Sequence, residues 1–356
     1  MTSLSEVNPA ERIQRAPGND GPEISVLLPF RDAERTLEEC LDSVLSQLGP
    51  SFEVVAVDDG SQDRSSELVA RRGHYDPRLR LMQPGKVGLV QALNHGLHHC
   101  RSSLVARMDA DDRMFPGRLS QQYSYFLEHR DVDLVACQVV LFADEAPGEG
   151  FQEYIRWQNN CLTPEEIAAE IYWESPLAHP SVMFRRERVA ALGGYREGAF
   201  PEDYELWLRM HQAGCRMTKL PTPLLAWRDG PTRLTRTDPR YARDAFDRLR
   251  AEYLARDPRL QQGRALIIWG AGRRTRRRAE LLLRQGFQVA AWIDVDPNKL
   301  GGRHAGAEVM APHRLAEWTE RPLVLVYVTS RGARESIAPL LESMGYRRGA
   351  DYFMVG

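Results

Sequence analysis

No stretch of this sequence is long and apolar enough to cross a bilayer. The longest apolar run, Leu134–Ala143, is interrupted by Gln138 and is about half of the ~20 residues that a spanning helix needs. Residues 1–21 are polar, carry acidic side chains and have no apolar core, so neither a signal peptide nor an anchor is expected. The five cysteines (Cys40, Cys100, Cys137, Cys161 and Cys215) are odd in number and widely spread. None makes the C-x-x-C spacing of a zinc or redox site. A net charge of -2 gives no whole-chain reason to expect a nucleic-acid partner. Repeats and low-complexity segments are missing as well. Together these absences point to a reducing, cytoplasmic setting, with contact to the inner face of a membrane at most peripheral.

What is present describes an ordinary globular protein, with hydrophobic residues at 43% and charged residues at 27%. At 356 residues the chain exceeds what one core usually organises, so two domains are expected. The run Ile24-Ser-Val-Leu-Leu28 is short, apolar and β-favouring and stops at Pro29, as a buried parallel strand reads. A helix follows, with Leu37, Leu41, Val44, Leu45 and Leu48 on one face before Gly49-Pro50. Residues 52–57 form a second strand, 65–72 a helix, 80–82 a strand, 88–99 a helix and 103–108 a fourth strand. Such alternation predicts an α/β fold with a parallel-rich sheet, whose functional residues collect at strand carboxyl ends.

Three acidic groups stand out. Asp109, Asp111 and Asp112 follow the fourth strand, and carboxylates this close repel one another. Mg²⁺ or Mn²⁺ resolves that conflict and keeps positions open for the oxygens of a diphosphate. A solvated acidic turn with Asp112 capping a helix is the competing structural account. Asp58 and Asp59 follow the second strand, ahead of Gly60 and the cap candidates Ser61 and Asp63. A turn with a cap explains Ser61 and Asp63, and leaves the Asp58-Asp59 pair available to nucleoside N–H or ribose hydroxyl groups. Glu202-Asp203 begins the apolar-faced helix that Gly214 ends. Acidic residues there suit the helix dipole. A carboxylate beside aromatic side chains could also have its pKa raised enough to take an acceptor's proton.

Taken in order, these residues resemble family 2 glycosyltransferases of the GT-A fold. The resemblance rests on Val26-Leu-Leu-Pro-Phe30, Val57-Asp-Asp-Gly-Ser-Gln-Asp63, Gly88-Leu-Val-Gln-Ala-Leu-Asn94, Ala106-Arg-Met-Asp-Ala-Asp-Asp112 with Pro116 and Arg118-Leu119, and His179-Pro-Ser-Val-Met-Phe184 before Gly193-Gly-Tyr195 and Glu202-Asp203. It spans residues 22–235. The resemblance implies a nucleotide-sugar donor, chiefly a UDP-sugar, and a saccharide or glycolipid acceptor in polysaccharide biosynthesis, with inversion at the anomeric carbon. It implies donor contacts from Pro29, Phe30, Arg31, Glu34, Asp58, Asp59, Gly88, Asn94, Arg107, Asp109 and Ala110. Asp109 and Asp111 are then the D-x-D pair at a Mg²⁺ or Mn²⁺ ion, and Asp203 is the general base with Glu202 beside it. His179 and Trp207 are acceptor-side candidates, and Trp227-Arg-Asp-Gly230 is a candidate segment at the diphosphate. Phe30-Arg31 departs from the aromatic-Asn pair common in the family, and no third protein ligand to the metal is evident.

The expected organisation is a lead-in over residues 1–21, a GT-A transferase domain over 22–239, a helical linker over 240–262 and a small Rossmann-like accessory domain over 263–356. In the last, Gly270-Ala-Gly272 follows an apolar strand and Asp294 ends the next, as in a dinucleotide fingerprint, but Thr275 replaces the third glycine. Gly270, Gly272, Arg273 and Arg274 make a candidate anion loop, against the alternative of a solvated basic face. An NAD-dependent nucleotide-sugar oxidoreductase acting through this domain is the alternative function. Against it, the segment offers no Tyr-x-x-x-Lys or catalytic His.

Overall fold

The computed structural model describes residues 21–143, 148–230, 233–330 and 332–356. Nearly all of the expected lead-in, residues 1–20, lies outside the described residues. The first sheet contains β1 (Ile24–Phe30), β2 (Phe52–Asp58), β3 (Leu79–Met82), β4 (Leu104–Arg107), β5 (Arg113–Met114), β6 (Leu134–Ala143), β7 (Met183–Arg185) and β8 (Met217–Asp229). They lie in the order β3-β2-β1-β4-β7-β6-β8-β5. The first four run parallel. β7 is antiparallel to both its neighbours, β8 joins β6 in parallel, and β5 closes the edge antiparallel to β8. The sheet is therefore the parallel-rich α/β one expected, with a mixed second half.

Every residue of β1 and β2 is buried, which is why both read as continuous apolar runs rather than alternating ones. β1 continues through Pro29, where the sequence suggested a stop. Leu27 O accepts from Met108 N at 3.0 Å and Phe30 O from Asp59 N at 2.9 Å, so the backbone groups of odd-numbered residues face β4. β4 pairing with β1 ends at Arg107, so the N–H that Pro29 lacks has no ladder partner to lose. The first helix also ends sooner than its apolar spacing suggested, at Leu45, and Leu48 is 84% exposed.

β1 leads outward to β2 and β3, whereas β4 lies on its other side, so the strand order reverses between β1 and β4. A crevice opens at the carboxyl ends on either side of such a point. A second sheet holds β9 (Leu266–Trp269), β10 (Ala291–Ile293), β11 (Arg303–His304), β12 (Ala307–Met310), β13 (Leu323–Val326) and β14 (Tyr352–Met354), in the order β11-β12-β10-β9-β13-β14. All its pairings are parallel except β11 with β12. One contiguous apolar cluster runs from Leu27 and Val57 through Tyr172, Tyr204 and Leu254 to Ile268 and Phe353, joining a face of each sheet. Among the described residues no helix is long and apolar enough to cross a membrane. The five cysteines are unpaired.

Candidate active site

The carboxyl ends of β1 and β2 form the first wall. Asp58 Oδ1 accepts from Ser61 N at 2.8 Å. Asp59 Oδ1 accepts from Val87 N at 2.8 Å and Gly88 N at 2.6 Å, while Arg31 Nη1 stands 3.9 Å from its Oδ2. Both carboxylates are buried. Gly60 permits the turn, because a Cβ there would sit 2.8 Å from Lys86 Cβ at a φ of +74. Asp63 Oδ1 accepts from Ser65 N at 2.9 Å, but Arg64 holds the N-cap position of that helix and makes no side-chain cap, so Asp63 is not the cap considered from the sequence. Glu34 accepts from Arg64 N at 3.1 Å, tying the loop after β1 to that after β2. Pro29 and Phe30 complete β1 beneath them.

The acidic run follows β4. Asp109, Asp111 and Asp112 each offer a carboxylate oxygen within 4.8 Å of the others. Arg107, almost fully buried, pairs with Asp109, and Ala110 is buried between the carboxylates. Burial first and the charge of Asp109 second push Asp111 up to about 6. Asp112 is raised well above the carboxylate range by burial, then by Asp111 and Asp109. No helix begins at Asp112, so it is not the helix cap considered from the sequence; β5 follows instead. Its Oδ1 accepts from Arg228 N at 2.7 Å, and its buried Oδ2 has no hydrogen-bond partner among the described residues. Arg228 Nε donates to Asp111 O at 2.9 Å and Nη2 to Glu39 Oε2 at 2.8 Å, so the Trp227–Gly230 stretch does lie against the run. Crowded carboxylates with one bare buried oxygen are a donor set that fits a hard divalent cation.

Glu202 and Asp203 open the helix Glu202–Gln212. Asp203 Oδ1 accepts from Tyr204 N at 2.7 Å, and enclosure by protein, then the charge of Glu202, push its carboxyl up to about 7. Glu202 Oε2 accepts from Tyr241 OH at 2.7 Å. His179 is buried, with Nε2 2.9 Å from Tyr195 OH. Burial and then the Arg107 charge hold it well below the usual histidine range, hence neutral. Trp207 is fully buried, its ring 5.9 Å from that of His179, so it supports the His179 segment from the core rather than facing solvent. Asn94 donates to Tyr195 O and accepts from Tyr195 N, both at 2.9 Å, binding its helix to the Gly193-Gly-Tyr195 turn. Arg107 pairs with Asp109, and its charge also lowers the Asp203 carboxyl, against the larger upward push of enclosure and Glu202.

Sequence named Arg118 only as part of the resemblance and did not name Tyr241 at all. Arg118 is fully buried and donates to the carbonyls of Arg107 at 2.9 Å and Val182 at 3.3 Å, fixing the end of β4. Tyr241 lies 39 residues beyond Glu202, and nothing in its local sequence marks it. In the second sheet, Ala271 N donates to Asp294 Oδ2 at 2.9 Å, and Lys299 Nζ lies 3.1 Å from the same oxygen. The acidic residue placed for a ribose is therefore engaged internally. A Cβ at Gly270 would meet Thr275 Cγ2 and Val328 Cγ2 at 2.8 Å, so close packing explains this glycine. Gly272 precedes the helix Arg273–Leu283, where Arg273 and Arg274 are exposed.

Residues 25–193 match the family described as Glycosyl transferase family 2. The amylovoran biosynthesis glycosyltransferase AmsE of Erwinia amylovora is 34% identical over 58% of this chain and 76% of its own. An Escherichia coli protein described as UDP-Gal:alpha-D-GlcNAc-diphosphoundecaprenol beta-1,3-galactosyltransferase is 27% identical over 55% of this chain and 70% of its own. Among solved structures, residues 1–349 of S. aureus TarS with UDP-GlcNAc superpose with a TM-score of 0.49 at 18% identity, over 66% of this chain and 72% of that one. The oxidoreductase alternative gains no support from these matches.

Proposed function

Given that the chain belongs to glycosyltransferase family 2 and is a glycosyltransferase, we propose that it moves a sugar from a nucleotide-sugar, chiefly a UDP-sugar, to a saccharide or glycolipid acceptor in polysaccharide biosynthesis, inverting the anomeric carbon. The observation that carries this reading is the cluster of three carboxylates at the end of β4, in a chain whose Asp203 carboxyl is pushed up to about 7 by enclosure and by Glu202. The UDP-galactose and the lipid-linked diphosphate acceptor in the name of the E. coli relative support the donor and acceptor classes.

In this reading Asp58, Asp59 and Arg31 receive the nucleoside, with Gly88 N holding Asp59 in place. Asp109 and Asp111 hold a Mg²⁺ or Mn²⁺ ion, which when bound neutralises charge on the departing diphosphate. Asp112 braces them from below through the Arg228 backbone. Asp203 takes the proton of the acceptor hydroxyl as its oxygen bonds the anomeric carbon and the bond to the diphosphate breaks on the opposite face. His179, held neutral, shapes the acceptor side without competing for that proton. Residues 22–239 form the transferase unit, 240–262 the helical linker and 263–356 an accessory unit. The setting is the cytoplasm, with peripheral contact at the inner membrane face where the acceptor is lipid-linked.

The test is release of nucleoside diphosphate from UDP-glucose, UDP-galactose, UDP-GlcNAc and GDP-mannose with Mn²⁺ and saccharide acceptors. Asp203→Asn should lose transfer and keep UDP binding. Full turnover in that variant moves the base elsewhere, with Glu202 the first alternative.

A further inference from the structure

Several arginines stand at the acidic run, and Arg107, Arg113 and Arg228 are each ion-paired within the protein. Arg107 pairs with Asp109, and Arg228 is held by Glu39 and the Asp111 carbonyl. Arg233 differs. Its guanidinium carbon lies 4.4 Å from the Trp227 ring centre and 5.2 Å from that of Phe151, and its side chain is only 11% exposed. Among the described residues its buried Nη1 finds no hydrogen-bond partner. Asp229 offers Oδ1 at 3.8 Å, an ion pair beyond hydrogen-bond reach, while Arg236 takes Asp229 Oδ2 at 2.8 Å. Asp229 is thus shared, hydrogen-bonded by Arg236 and only loosely paired with Arg233, which holds a donor without a hydrogen bond among the described residues. The Arg233 charge is also the strongest cationic influence on Asp111, and it acts on Asp112 too.

We propose that Arg233 is a donor-binding residue whose guanidinium takes an oxygen of the β-phosphoryl group of the nucleotide-sugar, as a protein-borne cation beside the metal site. This rests on the donor site described above and deepens it. A planar guanidinium presents parallel N–H groups that match phosphate oxygens, and stacking between two aromatic rings holds that plane before the donor arrives. The β-phosphoryl carries the charge that develops as the glycosidic bond breaks, so a cation there acts on departure as well as on binding.

The experiment measures affinities of UDP and UMP, with GDP and GMP as a second pair, by calorimetry in MnCl₂ for the wild-type chain, Arg233→Met and Arg233→Lys. Thermal unfolding of each variant controls for folding. Arg233→Met should weaken the diphosphate about tenfold or more and leave the monophosphate within about twofold. Arg233→Lys, which keeps the charge without the fork, should fall between. Equal weakening of diphosphate and monophosphate, or undiminished diphosphate affinity in both variants, overturns the assignment. A wild-type chain with no preference for either diphosphate overturns the donor-site reading itself, and the two failures are thus told apart.

Discussion

Asp111 and Asp203 both carry carboxyl groups pushed upward with burial as the first cause, yet the proposed function gives them opposite ends of the reaction. A general base works only when ionised, so a carboxyl near 7 loses activity as the pH falls below that value. We expect kcat/KM for the acceptor to rise about tenfold per pH unit below about 7 and to level off above it. A rate that stays constant from pH 5 to 8 would remove Asp203 from that role. At this scale the sequence was informative where chemistry is local. Consecutive acids at a strand end announce themselves, as do acids at the start of an aromatic helix. The contacts that shape them do not. Asp112 meets Arg228 across 116 residues, a pairing that the β5–β8 ladder makes and no local pattern encodes.

Strands buried on both faces left plain apolar runs, so β1, β2, β4 and the helices between them were legible. Pro29 was misread as an end because proline costs a ladder bond only on the side that has a partner. The mixed half of the sheet was not legible, since β6, β7 and β8 pair across long intervals. The segment proposed as a linker reaches the Glu202–Gln212 helix. Tyr241, just ahead of the helix Arg243–Ala255, donates to Glu202, and Tyr253 within that helix donates to Glu205. Tyr241→Phe removes a charge-assisted hydrogen bond and should cost about 2 kcal/mol of stability, read by denaturant unfolding. Transfer should slow while UDP affinity stays unchanged. A drop in UDP affinity equal to the drop in rate would mean that the linker supports the donor side instead.

Across the whole molecule, the restart of α/β alternation near residue 265 was readable, and the second sheet begins at Leu266. The way the two sheets join was not, because it depends on side chains far apart in sequence. Glu170, 3% exposed, receives Arg334 at 2.6 Å, Arg348, and Trp157 Nε1 at 3.1 Å. Tyr172 O accepts from Gly356 N at 3.0 Å, and Tyr172 OH donates to Asp257 at 2.9 Å. With one apolar cluster spanning both sheets, a single cooperative unfolding transition is expected. Glu170→Ala strands two guanidinium groups and should cost about 3 kcal/mol, toward the low end for a buried pair because the Arg348 side chain keeps 31% of its surface in water. Two separate transitions in the unaltered chain would show that the sheets unfold independently.

The central claim is that the carboxylates after β4 hold a cation that binds the donor's diphosphate. The direct measurement is the UDP and GDP affinity of the chain with and without Mn²⁺, for wild type and for Asp111→Ala. The account predicts that Mn²⁺ strengthens binding of at least one nucleoside diphosphate about tenfold or more in the wild type, and that Asp111→Ala abolishes this enhancement. Nucleotide affinity indifferent to Mn²⁺, or an enhancement that survives in Asp111→Ala, would contradict it.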